Sequence, residues 1–178
     1  MTDADADAIP VLLETPPVAC TGASLNRHNS HQAYATPFPL IRACERFFRT
    51  PVVFDLAANH ANKKAEYYFS EEDNSLTKDW HNLTWSGLLW LNPPFANIEP
   101  WTRKCAEESK RGARILFLTP ASVGANWFAE HVHGNAYVLA LNGRITFVGA
   151  SDPYPKDCII SAFGLGLTGF TFWKWNTP

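Results

Sequence analysis

No stretch of this 178-residue sequence reaches the roughly 18 uninterrupted apolar residues that a membrane-crossing helix needs. The opening Met1-Thr2-Asp3-Ala4-Asp5 is neither basic nor apolar, as a secretory leader would be. Both absences predict a soluble, cytoplasmic protein with no membrane partner. The four cysteines, at 20, 44, 105 and 158, form no CxxC pair and join no histidine at metal-ligand spacing, so reduced, structural thiols and no metal are expected. The six histidines show no helical pairing or triad spacing. Lysine and arginine are missing from residues 1–25, where Asp3, Asp5, Asp7 and Glu14 lie. All 15 basic residues therefore fall in 26–178 beside 13 acidic ones, and a chain of formal charge −2 has a mildly basic body. That distribution permits a nucleic-acid partner.

Residues 1–30 combine Asp/Ala alternation with Pro10 and Pro16-Pro17 and lack periodicity, which predicts a flexible tail before a single domain at 31–178. From Thr36-Pro37, taken as N-cap and first turn, Leu40, Ile41, Cys44, Phe47 and Phe48 recur at helical spacing. Short apolar strands are expected at 51–56, 67–69 and 87–91, a helix over 100–112 ending in Lys-Arg-Gly, and a strand at 114–118. A helix at 125–132 precedes strands at 136–141, 144–148, 158–163 and 170–173. Alternation of strand and helix up to residue 132, followed by successive strands, predicts an α/β fold. Its sheet is mostly parallel with an antiparallel C-terminal end.

The pentapeptide Leu91-Asn92-Pro93-Pro94-Phe95 closes the apolar run Gly87-Leu88-Leu89-Trp90. Proline fixes φ and donates no ladder bond, so the strand must open there into a stiff loop. The loop offers an amide, two backbone carbonyls and an aromatic face. These suit a planar ring with an exocyclic amine: the carbonyls of Asn92 and Pro93 accept its two N–H bonds while Phe95 stacks on the ring. An amine so held is ready to attack an electrophilic methyl group. Upstream, the strand at 51–56 ends on Asp55 beside the small residues Ala57 and Ala58, where nucleotide-like cofactors meet doubly wound sheets. The acids of Ser70-Glu71-Glu72-Asp73 follow 16 to 18 residues later, a spacing that suits a ribose diol. Asp79-Trp80 could meet an adenine amine. Each string alone is also an ordinary turn.

Taken in order, these motifs resemble class I S-adenosylmethionine-dependent amino-methyltransferases, and most closely the phage-type DNA N6-adenine methyltransferase (Dam) family. The resemblance rests on Thr36-Pro37, Phe54-Asp55, Asn62, Tyr68-Phe69, Glu71 to Trp80, Asn92-Pro93-Pro94-Phe95, Leu118-Thr119-Pro120, Trp127-Phe128 and Gly143-Arg144-Ile145-Thr146-Phe147, and covers about 36–163. The chain departs from the pattern at Ala57-Ala58-Asn59, where many methyltransferases carry a glycine-rich turn, at Asn74-Ser75 in place of Asp-Gly, and at Phe95 in place of tyrosine.

The resemblance implies a Rossmann-like sheet with helices on both faces, S-adenosylmethionine as cofactor and DNA as partner, with no metal. Thr36, Pro37, Asp55, Ala57, Glu71, Asp73, Asp79, Trp80 and Asn92 would hold the cofactor. Asn92, Pro93, Pro94 and Phe95 would be catalytic, acting on an adenine flipped from the duplex. Arg144, Arg103 and Lys104 would meet DNA phosphates, and the loops 121–126 and 149–157 would read bases. Rival readings are methylation of cytosine N4, RNA adenine or a protein glutamine, and a non-catalytic nucleic-acid-binding module.

Overall fold

The sheet is built from runs that bury every side chain at its centre. Strand β3 (Leu88–Leu91), β4 (Ile115–Pro120) and β6 (Cys158–Phe163) are buried throughout, as strands covered on both faces must be. The computed structural model describes residues 34–83 and 87–176, all within one compact unit spanning His31–Pro178. The predicted tail at 1–30 lies outside the described residues. With β1 (Val52–Asp55), β2 (Tyr67–Tyr68), β5 (Ala136–Leu141) and β7 (Gly169–Trp173), seven strands run in the order β2-β1-β3-β4-β6-β5-β7. The first four are mutually parallel; β6 runs antiparallel between β4 and β5, and β7 returns parallel to β5.

Among the described residues, three α-helices cover the two faces. Helix α1 (Phe38–Phe48) buries Leu40, Ile41 and Cys44 against Leu88, Trp90, Leu116, Leu118 and Ile160. Helices α2 (Glu99–Lys110) and α3 (Asn126–His131) pack Cys105, Ala106 and Phe128 against the opposite side chains Leu89, Leu91, Ile115 and Phe117. Alternation along each strand divides these layers. Each fully buried Leu, Ile or Phe contributes about 1.5–3 kcal/mol, so the paired layers supply the main stabilising term.

Two local expectations are corrected. Thr36 does not cap α1: Pro37 is the capping residue, without a side-chain cap, and the Thr36 hydroxyl is used elsewhere. Residues 144–148 form no sheet strand, although Ile145 and Phe147 alternate inward with exposed Arg144, Thr146 and Val148. Both edges of β5 are already taken, by β6 and β7, so the segment cannot pair with the strand that precedes it. It keeps one bridge, Ala35 to Val148, and packs over α1's layer. The connections from β1 to β2 and from β2 to β3 also contain no α-helix among the described residues. They carry only short helical turns at Ser75–Thr77 and His81–Leu83, because 69–83 is polar and lacks a 3.6-residue apolar period.

Candidate active site

Chain order reverses direction across β1. Strand β2 lies on one side and β3 on the other, so the carboxyl ends of all three open into a crevice at the switch point of the sheet. The Leu56 amide donates to the Trp90 carbonyl at 2.8 Å, and the Phe69 amide donates to the Asp55 carbonyl at 2.9 Å, which locks the three strand ends together. Asp55, 2% exposed, closes β1. Its carboxylate accepts the Lys64 backbone N–H at 2.9 Å and the Ala57 N–H at 3.3 Å. Burial pushes its pKa up to about 6, even with these two donors and the Lys64 charge acting in the other direction. The same desolvation lowers the pKa of Lys64.

Asn92 follows β3 directly. Its Nδ2 donates to the Tyr34 carbonyl at 2.6 Å and to Thr36 Oγ1 at 3.0 Å, and these bonds fix the amide plane. Its Oδ1 is buried and accepts no hydrogen bond. An orphan acceptor of this kind costs about 1–3 kcal/mol, so it is a feature to be explained by a ligand. Prolines 93 and 94 are trans, Pro93 buried and Pro94 exposed.

A cavity of about 600 Å³ fills the crevice, a size that suits a nucleoside-bearing ligand. Of the sequence-predicted residues, Thr36, Asp55, Ala57, Glu71, Asn92 and Pro94 line it together. Tyr34, Asn59, Lys64, Ser75, Leu76 and Trp101 line it as well, without having been assigned to the site from sequence. Asn59 had a legible signal. It follows the small-residue turn, and its Oδ1 accepts the Ala61 and Asn62 amides as an Asx turn does. The others gather there only through tertiary packing.

Phe95 does not line this cavity. Its ring sits in an aromatic cluster, stacked on Tyr34 at 5.9 Å and edge-on to Tyr154 at 5.9 Å, with Phe147 close by. A second concavity of about 350 Å³ opens beside the cluster, lined by Tyr34, Phe147 and residues 149–155. Tyr34 borders both spaces.

The remaining predicted residues are placed elsewhere. Pro37 is spent on starting α1. Asp73 turns back on its own loop, accepting the Ser70 N–H at 2.7 Å and hydroxyl at 2.8 Å, which hold its pKa down. Asp79 faces outward and pairs with Arg111 at 2.7 Å, so it is turned away from any adenine in the cavity. Trp80 is wholly buried behind the cavity wall. Lys104 lies over the Trp80 ring at 5.0 Å and binds Glu108 at 3.2 Å, which withdraws it from any phosphate role. Arg103, beside Glu99 at 3.6 Å, and Arg144, beside Asp157 at 3.5 Å, both remain exposed.

Asp79, His81 and Glu108 bring three possible metal-ligand atoms within 4.8 Å of one another, but Arg111 and Lys104 already supply the countercharge there. The buried thiols of Cys44, Cys105 and Cys158 are free, and burial raises the pKa of each. Among the described residues no helix is long and apolar enough to cross a membrane.

Residues 23–158 match the family model described as DNA N-6-adenine-methyltransferase (Dam), which takes in the cavity, the Asn92 loop and the aromatic cluster. The chain belongs to the Dam family. It is 29% identical over 115 residues to the DNA N-6-adenine-methyltransferase of Escherichia phage T1, covering 65% of this chain and 47% of that protein. It is 25% identical over 127 residues to the enzyme of the same name from Haemophilus phage HP1 (strain HP1c1), covering 70% of this chain and 71% of that one. The chain therefore spans about half the length of the phage T1 relative. A mostly parallel seven-stranded sheet with helices on both faces is the Rossmann-like class I methyltransferase architecture expected of a Dam member.

Proposed function

We propose that this chain methylates the N6 amine of adenine in DNA, using S-adenosylmethionine, with the base flipped from the duplex. The observation that carries the reading is Asn92 Oδ1, a buried acceptor with no partner, fixed by two donor bonds at the edge of a nucleoside-sized cavity. The residues fit the cofactor: Asp55 suits an ammonium, Glu71 a ribose diol, and Leu76 with Trp101 a planar ring. Held there by Asp55, Glu71, Leu76 and Trp101, S-adenosylmethionine would supply an electrophilic methyl group to the amine.

Asn92 and the Pro93 carbonyl accept the two amine N–H bonds and aim the nitrogen lone pair into the cavity. The aromatic concavity beside Phe95 receives the flipped base. Tyr34, bordering both spaces, puts the base next to the cofactor. Stacking there contributes about 1–3 kcal/mol, which offsets part of the cost of unstacking. Holding both reactants in line supplies the acceleration. Arg144 meets the DNA backbone, and 149–155, which line the concavity, contact the bases. In a phage-infected cell the site of action is the host cytoplasm.

Purified protein is incubated with radiolabelled S-adenosylmethionine and unmethylated DNA, beside Asn92→Ala, and the product is digested to nucleosides. Label in N6-methyladenine that falls by about 10²- to 10³-fold in the variant is the expected result. Label in cytosine, or in RNA or protein alone, would overturn the assignment of the acceptor.

A further inference from the structure

Ser75 has the second orphan group on the cavity wall. The residue is 4% exposed, and its Oγ has no hydrogen-bond partner. The turn around it is tightly specified. Asn74 adopts a left-handed conformation at φ 48°, which asparagine tolerates, and its carbonyl accepts the Thr77 amide and hydroxyl at 2.9 and 2.8 Å.

Ser75 is then pinned from behind. Its carbonyl accepts the Trp80 indole N–H at 2.9 Å, and the Trp80 ring stacks on Trp101, another cavity wall. Trp80 in turn hangs from Glu108, 3% exposed, whose Oε2 accepts the backbone N–H groups of Trp80 and His81 at 3.0 and 2.9 Å. Lys104 and Arg111 hold the other carboxylate oxygen, both at 3.2 Å. The buried Glu108 carboxylate, paired with Lys104 and Arg111, thus holds Trp80, whose indole fixes the carbonyl of a residue whose hydroxyl is left unused. Ser75 itself lines the cavity, and its buried hydroxyl is a polar group left there without a partner.

We infer that the Ser75 hydroxyl hydrogen-bonds the nucleoside end of the cofactor, with Trp80 and Glu108 as the positioning residues that hold it there. The inference rests on the S-adenosylmethionine reading above. The location separates the two ends of the ligand. Asp55 and Lys64 make up the charged bank, while Ser75 lies between Glu71 and the apolar Leu76 and Trp101. This arrangement also moves the nucleoside contact from the acids Asp73 and Asp79, which face elsewhere, to a neutral hydroxyl.

Calorimetric binding of S-adenosylhomocysteine and of methylthioadenosine, which lacks the amino-acid end, tests the assignment in wild type and Ser75→Ala. Both ligands should bind the variant about 3- to 10-fold more weakly, as expected for one hydrogen bond. Trp80→Phe, which removes the indole donor and keeps the ring, should weaken binding on its own but add nothing in the Ser75→Ala background. Wild-type affinity for both ligands in Ser75→Ala, or a loss confined to S-adenosylhomocysteine, would overturn the nucleoside contact. Additive losses in the double variant would overturn the positioning role. A wild-type protein that binds neither ligand would overturn the cofactor reading together with this one.

Discussion

Asp55 is the residue at which burial and chemistry conflict most directly. Its carboxyl has an ordinary pKa of 3.8 and one of about 6 in the fold, because burial penalises the charge more than two backbone donors relieve it. The folded state therefore holds its proton where the unfolded chain has lost it. Stability from this group is greatest below about pH 4 and declines as pH rises towards 6. Asp73, Asp79 and Glu108 shift in the opposite direction and lose their contribution as pH falls. Comparing wild type with Asp55→Asn cancels those three. Urea unfolding of both proteins from pH 4 to 8 should show wild type losing about 3 kcal/mol relative to the variant by pH 7, then levelling. A flat difference would show that folding leaves the Asp55 pKa unshifted. The cost is consistent with a carboxylate kept in the crevice for a cationic ligand group.

At the scale of elements, the crevice depends on how closely β1 and β3 approach. Gly87 enters β3 against the Pro51 carbonyl and the Val53 side chain, leaving no room for a methyl group. The Leu88 amide then donates to that same carbonyl at 2.8 Å, starting the register that ends with Asp55 opposite Trp90. Gly87→Ala should destabilise the protein by about 1–3 kcal/mol. Urea titration would show this as a lower midpoint with an unchanged slope, and an unchanged midpoint would mean that the strands can separate at no cost. Helix α2 links the same crevice to its support. Its first turn places Pro100 and Trp101 on the cavity wall, and its last turn presents Glu108 to the loop carrying Ser75. One helix thereby sets both the Trp101 wall of the cavity and the turn that carries Ser75.

At the scale of the whole molecule, the formal charge of −2 conceals a basic body and an exposed Arg144, 56% accessible, near the concavity proposed for the base. Its partner Asp157 is more exposed still and 3.5 Å away, so the pair is weak and the guanidinium can exchange it for a phosphate. Arg144→Ala should weaken binding to unrelated DNA sequences alike, and reduce the slope of log K against log salt by about 1. Fluorescence anisotropy with labelled duplexes across a salt series reads both quantities. A variant with the wild-type slope would move the phosphate contact elsewhere, with Arg103 the next exposed candidate.

Much of this organisation was legible in the sequence because it depends on local pattern. The apolar run 87–91, closed by two prolines, had to be a buried strand ending in a stiff loop, and Leu40, Ile41 and Cys44 had to share a helix face. Asp55 and Asn92 could be chosen as site residues because each ends such a strand. Other features required the fold. The alternation at 144–148 could not reveal that β6 and β7 already occupy both edges of β5. The acids of 71–79 look equivalent in sequence, yet Glu71 reaches the cavity while Asp73 caps its own turn and Asp79 pairs with Arg111. Tyr34, Ser75 and Trp101 are distant in sequence from one another, and only tertiary packing makes them walls of the same space. Sequence alone determined which segments bury which faces, because apolar periodicity is a local property. Only the tertiary structure decided which polar groups are left without partners, because satisfying a hydrogen bond depends on every element packed around it.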